Sequence, residues 1–69
     1  MTRKVLKFAH EIEKGDILII EDQEFVVVTR NLLPETKSVH LELATEDNPF
    51  DLKNVHFDTN DPFIILKII

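Results

Sequence analysis

Lys14-Gly15-Asp16-Ile17-Leu18-Ile19-Ile20-Glu21-Asp22-Gln23-Glu24-Phe25-Val26-Val27-Val28-Thr29-Arg30 holds two short apolar runs separated by a polar segment, with the only glycine near its head. Each run is too short for a stable helix, and its β-branched content suits a pleated, half-buried surface. Residues 14–30 therefore predict a β-hairpin. Gly15, lacking a Cβ, is expected to take a positive φ at the turn that opens it. The connection 21–24 carries no Asn-Gly or Asp-Gly pair, which leaves its turn type open.

Upstream, residues 4–9 alternate as a first strand, with Leu6 and Phe8 on one face and Lys7 on the other. Residues 10–16 have one strong apolar anchor, Ile12, and read as a turn that tucks it beneath the sheet. Downstream, Pro34 cannot donate to a ladder and restricts Leu33, so residues 31–37 predict a loop. Residues 38–44 form the clearest strand, Val39, Leu41 and Leu43 facing one way and His40 and Glu42 the other. After turn chemistry over 45–49, Phe50 and Leu52 and then Val55 and Phe57 are expected inside. The change of parity between Leu52 and Val55 predicts a bulge or bend there. A last turn at 59–62 leads to residues 63–69, Phe-Ile-Ile-Leu-Lys-Ile-Ile, apolar on both faces. Such a strand either lies among neighbours or turns its second face to another copy or a partner. The whole, residues 1–69, reads as one all-β domain, a small partly open barrel of five or six short strands.

A chain of 69 residues buries only about 60% of its unfolded surface, so each apolar strand matters. With no cysteine there is neither a disulfide nor a thiolate site. The basic start, Arg3, Lys4 and Lys7, meets Glu11 and Glu13 before any long apolar run, unlike a signal peptide. No stretch approaches the ~20 apolar residues of a membrane span. A soluble, cytoplasmic protein is the expectation. The net charge of −5 opposes binding to a phosphate backbone. Acidic residues gather at Glu46, Asp47, Asp51, Asp58 and Asp61, expected as a solvated face or, in a sharper reading, a dock for a basic partner.

The run Ile12-Glu13-Lys14-Gly15-Asp16-Ile17-Leu18-Ile19-Ile20, followed by Phe25-Val26-Val27-Val28, resembles the opening of SH3-like barrels. In layout it is similar to the N-terminal domain of translation elongation factor P and to short uncharacterised bacterial and phage proteins. The resemblance covers roughly the first half of the chain and implies a scaffold. That factor carries in its working loop a lysine flanked by glycine and proline. Here the loop reads Leu32-Leu33-Pro34-Glu35-Thr36-Lys37, with Lys37 near the family lysine but without the glycine. The resemblance thus implies fold rather than translation activity, and such scaffolds host many functions.

The chemistry of a catalyst is absent from the pattern. There is no Gly-rich phosphate loop or nucleophile elbow, and Ser38, the one serine, begins a strand. His10, His40 and His56 lack the spacing of a helical metal site; His40 and His56 point away from the expected core and can meet across a sheet. Asp58-Thr59-Asn60-Asp61 opens like a calcium loop, but Pro62 and Phe63 follow where a glycine turn and further ligands belong. No enzyme, metal or cofactor is expected. The chain instead reads as a binding module for protein, such as a small bacterial or phage accessory factor, with a homodimer among the options. The expected contacts are Leu32, Leu33 and Lys37 in the loop and a spare face of Phe63, Ile65 and Ile69. The alternative is a nucleic-acid or ribosome-associated module. It needs Arg3, Lys4, Lys7, Arg30 and Lys37 gathered into one patch by a first strand lying beside the third. It is disfavoured because no tyrosine or tryptophan is present and the five phenylalanines suit a core.

Overall fold

A computed structural model describes residues 1–68. The strands are β1 (Thr2–Phe8), β2 (Ile17–Ile20), β3 (Gln23–Leu33), β4 (Ser38–Ala44), β5 (Lys53–Asp58) and β6 (Pro62–Ile68), with a 3-10 turn at Ala9–Glu11 between the first two. All pairings are antiparallel, in one sheet of order β1-β6-β2-β3-β4-β5. The protein is thus all-β. The sheet is not closed: β1 and β5 are its two margins, and no ladder joins them among the described residues.

The central hairpin forms as its sequence predicts. Ile17 to Ile20 pair with Val26 to Gln23, and Gly15 sits at φ +92. Its amide donates to the Val27 carbonyl at 2.8 Å, and the Val27 amide donates to the Asp16 carbonyl at 2.9 Å. These bonds extend the ladder past the end of β2. The turn is closed by Glu21 and Asp22 at φ 51 and 64, the signature of a type I′ connection whose twist matches that of the strands.

One face of the sheet is the core. Val5, Ile65, Leu18 and Phe25 stand opposite one another across β1, β6, β2 and β3, and Val27, Leu43, Leu41 and Val39 continue the layer on β3 and β4. Phe57 on β5 meets Phe63 on β6 edge to face, with ring centroids 4.5 Å apart. Because β5 and β6 are not laddered, that contact shows the sheet bent over its own interior. Ile12 and Ala9, fully buried, fill the space beneath the bend. Burying an isoleucine contributes ~1.5–3 kcal/mol, so the turn that carries Ile12 is held down by packing. Hydrogen bonds reinforce it: the amides of Ala9 and His10 donate to the carbonyls of Asp61 and Thr59 at 2.8 and 3.1 Å. The Phe8 amide donates to Oε1 of Glu11 at 3.1 Å.

Several expectations are corrected. Leu6 and Phe8 do share a face, but it is the outward one; Val5 and Lys7 face inward. Lys7 reaches the interior's rim, where Nζ lies 3.0 Å from Oδ2 of Asp16, its alkyl stem covering apolar surface on the way. Phe50 and Leu52 are exposed. Turns closed by Asn48 N–H to Thr45 O and Asp51 N–H to Asn48 O carry the chain past Pro49, and β5 begins only at Lys53. No bulge is needed there. The register shift lies instead in β3, between Val27 and Thr29. Residues 31–33, expected in a loop, extend β3 to Leu33, since Pro34 ends the strand only at its own missing N–H. Of the phenylalanines, Phe25 is buried and Phe57 and Phe63 pack partly on the core, whereas Phe8 and Phe50 are exposed.

Candidate interaction surface

The outward face of the sheet divides into two unlike halves. Over β3, β4 and β5 it is polar and internally satisfied. Thr29 Oγ1 donates to Glu42 Oε1 at 2.6 Å, and His40 Nε2 bonds Asn54 Oδ1 at 2.9 Å. His40 and His56 are directly opposed in the ladder, their rings stacked at 4.5 Å and inclined by 18°. The two histidines thus meet across the sheet, as their facing allowed. Parallel rings aim their nitrogens alongside rather than at a common point. Among the described residues no group of three or more His, Cys, Asp or Glu side chains is placed to hold a metal ion.

Over β1, β6, β2 and the start of β3 the outward face is apolar. One cross-strand row runs Leu6, Ile64, Ile19 and Glu24; the next runs Lys4, Leu66, Ile17 and Val26. Ile68, opposite Thr2, begins a third. Leu6 is 61% exposed and Ile68 73%, with Ile64 and Val26 also exposed and Ile17, Ile19 and Leu66 half-buried. A sheet with one solvated face alternates inward apolar with outward polar residues. Here the alternation fails at three neighbouring positions in each of two adjoining rows, Glu24 and Lys4 being the charged ends. Contiguous apolar surface of this sort marks a place where something docks.

The residues singled out from the sequence fall differently. Ile65 is 1% exposed and lies in the core row with Leu18, so it is not part of a spare face; Phe63, one core row along, packs partly on the core. The strand's period of two assigns the free side to Ile64, Leu66 and Ile68 instead. Ile69 lies outside the described residues. Leu32 and Leu33 are both exposed but stand opposite Val39 and Ser38, hence on opposite faces, and form no single contact. Leu33, Pro34, Glu35 and Thr36 line a shallow depression of about 310 Å³, formed by the hairpin tip alone. Lys37, at φ 52, has its carbonyl tied to the Thr59 amide at 3.0 Å.

The basic patch required for the nucleic-acid alternative does not assemble. β1 lies beside β6, not β3. Lys7 is paired with Asp16, and Arg30 turns inward, donating from a terminal nitrogen to the His10 carbonyl at 2.8 Å. Its Nε is buried without a partner.

Leu6, Ile17, Ile19 and Val26 were not anticipated as surface. The signal was present in Ile17-Leu18-Ile19-Ile20, which is apolar on both faces just as residues 63–69 are. Two such strands side by side leave one apolar face uncovered unless another layer lies over it. The chain matches no protein-family model, and no curated protein or solved structure is significantly similar to it. Among the described residues no helix is long and apolar enough to cross a membrane.

Proposed function

We propose that this chain is a non-enzymatic binding module, a partly open SH3-like barrel that engages a protein through the outward face of β1, β6, β2 and β3. The barrel reading is supported by the bend that brings Phe57 onto Phe63 and by the bonds from Ala9 and His10 to the β5–β6 turn. The binding reading is carried by one observation: Leu6, Ile64, Ile19, Leu66, Ile17 and Val26 form adjoining rows on the solvent side. Leaving these side chains in water is unfavourable by about 25 cal/mol for each Å² of apolar surface. A protein surface that covers them recovers that free energy. A phosphate backbone does not, and the net charge of −5 repels it.

The test is a comparison of the wild-type chain with a Leu6→Ser/Ile68→Ser variant in binding an apolar fluorescent dye and in retaining purified candidate proteins. Both positions are exposed, so the circular dichroism spectrum is expected to stay unchanged while dye and protein binding fall. Equal binding by the two chains overturns the assignment of this face. Retention of nucleic acid that weakens steeply with salt favours the alternative module instead.

A further inference from the structure

We infer that β5 pairs edge to edge with β5 of a second copy, the two strands running antiparallel about a two-fold axis that passes between their Val55 residues, perpendicular to the sheet. This margin lies apart from the apolar face, so the dimer neither needs nor excludes the binding described above. Its support is the direction of the backbone groups of β5. Opposed residues in an antiparallel ladder alternate between pairs that exchange N–H···O=C bonds and pairs that do not. The ladder of β4 with β5 continues to Lys37 and Thr59, where the Thr59 amide donates to the Lys37 carbonyl at 3.0 Å. Counting back from that bonded pair, Phe57, Val55 and Lys53 bond to β4, while Asp58, His56 and Asn54 turn their amides and carbonyls to the free margin. Asp58 agrees: its amide donates to Asp61 Oδ2 at 3.1 Å, and its carbonyl accepts from the Asp61 amide at 3.0 Å. The 4.5 Å stacking of His40 on His56 fits the closer side chains of an unbonded pair. Asp58 is thus satisfied within its own turn. Asn54 and His56 are left with both backbone groups unused at the margin.

A second β5 satisfies all of these groups in one register. Asn54 of each copy faces His56 of the other, each such pair exchanges both bonds, and Val55 meets its counterpart on the axis. Sliding the strands by two residues one way sets His56 against itself and Asn54 opposite Asp58, whose groups are already taken. Sliding them the other way carries His56 onto Leu52, outside the strand. The side chains suit the same register. Outward, Asn54 Oδ1 is engaged by His40 Nε2, which leaves its amide N–H groups for the facing imidazole. Inward, half-buried Val55 covers Val55 and Phe57 stands opposite Lys53, so no like charges are opposed. Residues 54–57 hold no Lys, Arg, Asp, Glu or Pro and no bulge, the devices that keep an edge from pairing. An isologous contact must be complementary to itself, and this margin is. One short strand covers less than the ~800 Å² per partner of a standard stable complex, so the dimer is weak and reversible.

Sedimentation velocity over about 10 µM to 1 mM, with amide hydrogen exchange read by NMR at both ends of that range, tests the pairing. The expected result is a monomer–dimer equilibrium in which the Asn54 and His56 amides exchange freely in dilute protein and slow by about twofold or more when concentrated. The Lys53, Val55 and Phe57 amides are protected throughout. His56→Pro removes only an amide directed at the margin, where proline is tolerated, and is expected to abolish association while the strand signal in circular dichroism stays. His56→Thr keeps that amide and is expected to weaken association by no more than about threefold. Leu6→Ser/Ile68→Ser is expected to dimerise as the natural chain does, even where it loses dye and protein binding. A chain that stays monomeric up to the highest concentration overturns the dimer. So does a dimer whose Asn54 and His56 amides exchange as fast as in the monomer, one that a folded His56→Pro chain still forms, or one that Leu6→Ser/Ile68→Ser abolishes. Should His56→Pro fail to fold, the exchange of the natural chain decides alone.

Discussion

Among the described residues, three other than glycine hold positive φ: Glu21, Asp22 and Lys37. Left-handed backbone is unfavourable by ~1–2 kcal/mol for a residue with a Cβ, and here the ladders on either side impose it. Replacing Glu21-Asp22 by Asn-Gly is expected to raise stability by about 1–2 kcal/mol, seen as a higher urea midpoint at unchanged m-value. The opposite substitution tests the opposite case. A Cβ added at Gly15 meets nothing within 4 Å, so Gly15→Ala isolates the backbone effect of φ +92 and is expected to destabilise by about 1 kcal/mol. Gly15 was legible because a lone glycine between a charged segment and an apolar run has few other uses. The type I′ turn was not, since Glu-Asp has no preference for it and the strand register decides.

The strands divide into those whose inward side the sequence declares and those where it does not. β4 alternates strictly, and Val39, Leu41 and Leu43 lie in the core as their spacing predicts. β6 is apolar on both sides, so either parity satisfies the pattern, and only pairing with Leu18 and Val5 makes Ile65 the buried member. Ile65→Asp places a carboxylate in that row and is expected to unfold the protein, visible as loss of the strand signal in circular dichroism. Ile68→Ser, three residues on and outward, is expected to change stability by less than about 0.5 kcal/mol. The 3-10 turn has its own anchor in the Arg30 bond to the His10 carbonyl. Arg30→Ala is expected to destabilise by about 1–3 kcal/mol and to speed hydrogen exchange at the Ala9 and His10 amides.

At the scale of the molecule, one sheet serves two surroundings on its outer side, wet over β3 to β5 and apolar over β1 to β3. The all-β class and the strand count were readable from alternation and turn residues. The division of the outer face was not, because β1 joins β6, at the far end of the sequence, and only that pairing sets Leu6 beside Ile64 and Ile19. The same pairing separates Arg3 and Lys4 from Arg30, so the chain is not expected to retard a labelled oligonucleotide in a gel at moderate salt.

The two unlaced margins of the sheet have a consequence for how the chain behaves when crowded. A free strand border invites a neighbour to extend it, and repetition of that step without closure grows filaments. β1 bears Arg3 and Lys4, so a second β1 approaching side by side meets like charge. Those cations guard against linear polymerisation, and a chain stripped of them is expected to grow thioflavin-positive fibrils sooner than the natural one.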